Sequence, residues 1–168
     1  MVSKPKGHDQ LESLLQDAFP ATSLDPSQLF GAMGGATYFA GNKEAEEFDA
    51  LITGKTWKTV DVDSLDRDHD VLFFLTPEGF VHLLPAFGLA ATTRFEKFGR
   101  LAELLSTLLT RDTSNPGKFD QRISAMTAQQ RVAVTNLLER LEVLFSKSWQ
   151  SNPSQVALNS FWRNSKSK

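Results

Sequence analysis

Apolar residues recur every three or four positions through most of this chain, which predicts a mainly α-helical, all-α fold. Leu11, Leu14, Leu15 and Ala18 mark a first helix over residues 9–19, stopped by Pro20. Pro26, after Asp25, has the place of a first helical turn, and the Gly-Ala-Met-Gly-Gly run at 31–35 reads as a loop. Asn42 suits the cap of a helix whose first turn carries Glu44, Glu46 and Glu47, where the helix dipole favours carboxylates. Ala45, Phe48 and Ile52 share one face of that helix, and Gly54 ends it.

A short extended segment is expected near residues 57–62, around Trp57 and Val60. Residues 61–70 are polar and acidic, and the apolar run 71–75 fits a strand or a helix. Thr76-Pro77-Glu78 then has the chemistry of a helix start: a hydroxyl cap, proline at the first position and a carboxylate near the exposed N–H groups. Pro85 lies inside that helix and lacks the N–H that would bond the carbonyl four residues back, so a kink or break is expected there.

Phe95, Phe98, Ala102, Leu105 and Leu109 predict an amphipathic helix over 93–109, and 110–117, with Asn115-Pro116-Gly117, reads as a turn-rich connection. Thr127-Ala128-Gln129-Gln130 is a capping-box sequence. The stripe Val134, Leu137, Leu138, Leu141, Leu144 and Phe145 follows it for three turns. A last short helix starts after Asn152-Pro153-Ser154 and carries Val156, Leu158, Phe161 and Trp162. No internal repeat divides the chain, so residues 1–168 are expected to form a single helical domain with frayed tails at 1–8 and 164–168.

Composition narrows the class. With 168 residues, 40% of them hydrophobic and 13 of them Phe, the chain can fill a sizeable core, which excludes general disorder. The absence of cysteine removes disulfides, thiolate nucleophiles and cysteine metal sites, and points to a reducing cytoplasm. The N-terminal residues lead into a polar helix instead of an apolar run, so no export signal is expected there. The most apolar stretch, 71–91, is broken by Thr76-Pro77-Glu78-Gly79, His82, Pro85 and Gly88, so it reads as core and no membrane contact is expected.

Charge changes the picture further. Residues 44–78 hold ten acids and three bases, a balance of −7, while 94–168 hold six acids and twelve bases, a balance of +6. A net charge of −2 conceals this asymmetry. Solvated helix faces account for much of it, yet an acidic segment of this strength also suits a basic partner. The bases are scattered about one per turn without an aromatic platform, so nucleic acid is not expected as a partner.

No catalytic or metal signature emerges. Asp66-Arg67-Asp68-His69-Asp70 alternates oxygen ligands, but Val71 and Pro77 stand where a calcium loop needs glycine and a bidentate glutamate. It reads as a solvated acidic loop. His82 has no second histidine or carboxylate at the following i+4, and residues 31–35 lack the Lys-Ser/Thr ending of a phosphate loop. Glu78 reads as a helix-start charge. With His8, His69 and His82 as the full histidine set, acid–base catalysis would require one of them to meet a carboxylate through tertiary contacts. Neither cofactor nor metal is expected.

Phe74-Leu75-Thr76-Pro77-Glu78-Gly79-Phe80 followed by Leu84-Pro85-Ala86-Phe87 resembles the core of an uncharacterised bacterial family with a Phe-Leu-Thr-Pro-Glu-x-Phe and Leu-Pro-Ala-Tyr-like motif. Tyr38, the acidic helix with Phe48, Trp57 and the helix after Met126-Thr127 stand in the order such a family would have. Phe87 replaces the usual tyrosine and supplies no hydroxyl. The resemblance implies no catalytic residues, and burial of Trp57, Phe73, Phe74, Phe80, Leu84 and Phe87 explains the motif structurally.

The expected function is a non-enzymatic protein-binding module, specifically an immunity (antitoxin) protein that neutralises a bacterial toxin with a basic domain. Its expected contact residues are Glu44, Glu46, Glu47, Asp61, Asp63, Asp66, Asp68 and Asp70. The alternatives are a structural or regulatory homo-oligomer, and an enzyme using His82 or His69 with a carboxylate.

Overall fold

A computed structural model describes residues 7–23, 28–29, 50–65, 72, 75–114 and 116–165. Among the described residues there are helices and no strand, as the spacing of apolar positions predicts. The helices bounded within the described residues are α1 (His8–Ala18), α2 (Val62–Leu65), α3 (Pro77–Thr93), α4 (Phe95–Leu108), α5 (Pro116–Ser124), α6 (Ala128–Ser148) and α7 (Pro153–Ala157). A π-helical turn, Leu158–Trp162, runs from α7 into α8 (Arg163–Ser165). Helix therefore begins and ends inside both expected tails, at His8 and Ser165.

The centre of the molecule is α3, which packs against α1, α2, α4, α5 and α6. Its start follows the sequence chemistry: Thr76 Oγ1 accepts from the Gly79 amide at 2.9 Å, and Pro77 occupies the first turn. The same threonine holds residues 28–29, its amide donating to Leu29 O at 2.7 Å and its hydroxyl donating to Gln28 O. Gly79 leaves room for that contact, because a Cβ there would lie 2.5 Å from Leu29 O.

Pro85 does not break α3. Helix continues to Thr93 with Phe80, Leu83, Leu84, Pro85 and Phe87 all buried, so packing on several sides outweighs a cost of about 3 kcal/mol for an interior proline. The bend comes later. Arg94 (φ −128°, ψ 46°) separates α3 from α4, and Phe98 (φ −105°, ψ 25°) is non-helical inside α4. The expected extended segment is also replaced: residues 56–60 form a helical-type turn in which the Val60 amide donates to Thr56 O at 3.0 Å.

The capping box before α6 forms in full, with Gln130 N donating to Thr127 Oγ1 and Thr127 N donating to Gln130 Oε1. Leu137, Leu138, Leu141 and Phe145 of α6 are buried in one continuous core. Residues 110–114 are non-helical, as expected of a connection, and helix α5 starts at its end, at Pro116; Phe119 and Ile123 fix it to the core, and Phe119 meets Phe161 edge-on at 5.2 Å. Trp162 closes this corner by donating from Nε1 to Leu109 O at 2.8 Å.

Candidate functional site

Glu78, His82, Ala86, Leu89 and Thr93 follow one another at steps of three and four along α3, so they occupy one side of that helix. Two hollows lie along this side. The larger is an open groove of about 390 Å³ towards the C-terminal end of α3. Its floor includes Trp57, Val62, Ala86 and Ala90, all buried, and its rim carries Glu12 and Gln16 of α1, Lys58 and Arg94. Trp57 is fixed by donating from Nε1 to Phe19 O at 3.1 Å, which ties the turn at 56–60 to the end of α1.

Two of the expected contact acids, Asp61 and Asp63, flank Val62 at this groove. Asp61 is exposed and works as a local cap: it accepts from Asp63 N at 3.1 Å and from Ser64 Oγ at 2.6 Å. The Ser64 hydroxyl and amide hold its carboxyl below the usual carboxylate range. Asp63 is paired within the molecule, with Arg94 and Lys97 at the bend between α3 and α4. Hydrogen bonds from Lys97 and Arg94 likewise hold its carboxyl below the usual range. Acidic and basic halves of the sequence therefore meet at this point. Glu44, Glu46, Glu47, Asp66, Asp68 and Asp70 lie outside the described residues, as do His69 and the loop at 31–35.

The smaller hollow, about 180 Å³, lies at the N-terminal end of the same side of α3. Phe19, Val81 and Ala125 give it apolar walls, with Pro20, Thr22 and Gln130 completing the lining. Glu78 and His82 face into it one helical turn apart. Glu78 is exposed and His82 is partly buried. The His82 Nε2 lies 3.4 Å from Lys55 O. A carbonyl only accepts, so Nε2 carries the proton of the neutral ring and Nδ1 is left as an acceptor. Burial pushes the His82 pKa down and outweighs the opposing effect of the Lys55 carbonyl, which favours the neutral ring at pH 7. The sequence carries the signal for this pair, a carboxylate four residues before His82, on the side opposite to the following i+4 position.

Arg122 has a structural part. It is buried, donates to Leu108 O at 3.1 Å and lies 4.8 Å from the centre of the Phe80 ring. Its guanidinium thus caps the carbonyl end of α4, as a cation at a helix C-terminus does. Burial draws its pKa down from the ordinary guanidinium value.

Among the described residues no group of three or more His, Asp or Glu side chains is placed to hold a metal ion. No described helix is long and apolar enough to cross a membrane. Among the described residues the exposed large apolar side chains are Val132, Trp149 and Val156. Val132 sits near the start of α6 and Trp149 just past its end, about 25 Å apart at 1.5 Å per residue, so these two do not share one patch.

The chain belongs to a family of unknown function, DUF6714. The family model matches residues 8–166, from the first residue of α1 to just beyond α8. No curated protein and no solved structure matches the chain.

Proposed function

We propose that this protein is a non-enzymatic binding module that receives a basic protein partner along the exposed side of α3. The observation that carries the reading is the open groove of about 390 Å³ with an apolar floor and a charged rim, bordered by the start of the acidic run 61–70. An apolar floor inside a polar rim is the layout in which a partner side chain is anchored and water is kept out at the edges. The ten acids against three bases in residues 44–78 favour a cationic partner and speed its approach.

The finer reading is an immunity protein that works in the cytoplasm and neutralises a bacterial toxin by occupying a basic toxin domain. Asp63 is paired with Arg94 and Lys97 within the molecule, whereas Asp61 is exposed and borders the groove, so Asp61 is the described acid of this segment that would address the partner, with Asp66, Asp68 and Asp70 following it in sequence. Affinity purification of the tagged protein from its native cells, at low and moderate salt, tests the reading. The expected result is one stoichiometric protein with a basic domain, depleted when Leu89→Arg closes the groove in a variant whose circular dichroism is unchanged. Return of the tagged chain alone, or a partner retained equally by the groove variant, would overturn it.

A further inference from the structure

The hollow at Glu78 and His82 has chemistry that neither the groove nor the acidic run explains. Its volume, about 180 Å³, is below the 300–1,000 Å³ typical of sites for drug-sized ligands, so it suits the end of one side chain. Its walls are apolar at Phe19, Val81 and Ala125 and match an alkyl stem. Its polar lining consists of the Glu78 carboxylate, Gln130, Thr22 and the His82 ring, whose Nδ1 is an acceptor when Nε2–H is directed at Lys55 O. The Glu78 acceptor is anionic and the His82 acceptor neutral, one helical turn apart, which complements an alkyl ammonium or guanidinium and repels an anion.

We infer that this hollow is an anchor pocket for the end of a lysine or arginine side chain, held between the Glu78 carboxylate and the His82 imidazole. The inference deepens the proposed function: it gives the basic partner a second foothold on the same side of α3, about 10 residues and so roughly 15 Å from the middle of the groove. A carboxylate and an apolar slot together select a cation by charge and by stem, as anchor residues at interfaces do. The neutral state of His82, favoured by burial, keeps a second positive charge out of the pocket.

The test needs no partner. The full chain, with its histidine rings labelled for NMR, is titrated with n-butylammonium and with n-butylguanidinium, and in parallel with n-butanol and butyrate. The expected result is a saturable shift of the His82 ring signals with both cations, at an affinity on the order of millimolar as for fragments of this size. Glu78→Gln, at an exposed position, should weaken it about tenfold or more while the circular dichroism and unfolding curve of the free protein stay in place. No saturable shift with either cation, an equal response to n-butanol, or full retention of cation binding in Glu78→Gln would each overturn the inference. Because the probes are small molecules, failure here leaves the groove reading standing, and failure to recover a basic partner leaves this result unaffected.

Discussion

Gly79 and His82, three residues apart on α3, show how single positions set the behaviour of this chain. Alanine is normally the better helix former, by about 1 kcal/mol. At Gly79 a Cβ would lie 2.5 Å from Leu29 O and 2.9 Å from Leu29 Cα, both backbone atoms that cannot rotate away. Gly79→Ala should therefore destabilise the fold by about 1–3 kcal/mol in urea unfolding, as overpacking does. A stabilised variant would show that residues 28–29 are not held against the helix. His82 sets a pH response. Its folded pKa is pushed below 6.5, so as pH falls the unfolded chain takes the proton first. Stability is full above about pH 6.5 and is lost between that value and the lower folded pKa, before Asp61 and Asp63 begin to titrate from 3.8 downward. In His82→Gln that upper segment of the stability–pH curve should flatten; an unchanged slope would place its origin elsewhere.

Helix ends were the most legible elements in the sequence, because a cap is a local event between residues three or four apart. Thr76-Pro77-Glu78 and Thr127 to Gln130 start helices as their chemistry requires, and both bonds of the second box are made. Thr127→Ala should cost about 1 kcal/mol in thermal or urea unfolding while Thr127→Ser stays close to the parent, since the hydroxyl accepts the Gln130 amide. Equal losses in both would point to packing of the methyl group. The failures have a common physical origin. Pro85 was expected to kink or break α3 on local grounds, and the break does not occur, because neighbours on several sides hold the helix through it. α5 was hidden behind Asn115-Pro116-Gly117, although Phe119 and Ile123 already had helical spacing. The turn at 56–60 depends on Trp57 reaching Phe19, a contact across 38 residues that no local pattern encodes.

Across the whole molecule, one side of α3 gathers the groove, the Glu78–His82 pocket and the border of the acidic run. Only part of this was readable in advance. Charge counts exposed the acidic segment, but the pairing of Asp63 with Arg94 and Lys97 required the bend between α3 and α4. That exposed cluster should add little to stability, so Asp63→Asn is expected to move the thermal midpoint only slightly and still less at high salt. A large drop would make the cluster a structural clamp. The groove itself was illegible because its walls come from α1, the 57–62 region and α3, which sequence spacing cannot bring together. The most direct test of the central claim is the association rate of the purified basic partner with the parent chain and with a variant carrying Asp66→Lys, Asp68→Lys and Asp70→Lys. The account predicts association at least about tenfold slower for the variant at low salt, converging with the parent as salt rises, with unfolding curves unchanged. Equal rates at low salt would contradict a partner guided to this side of the molecule by the acidic segment.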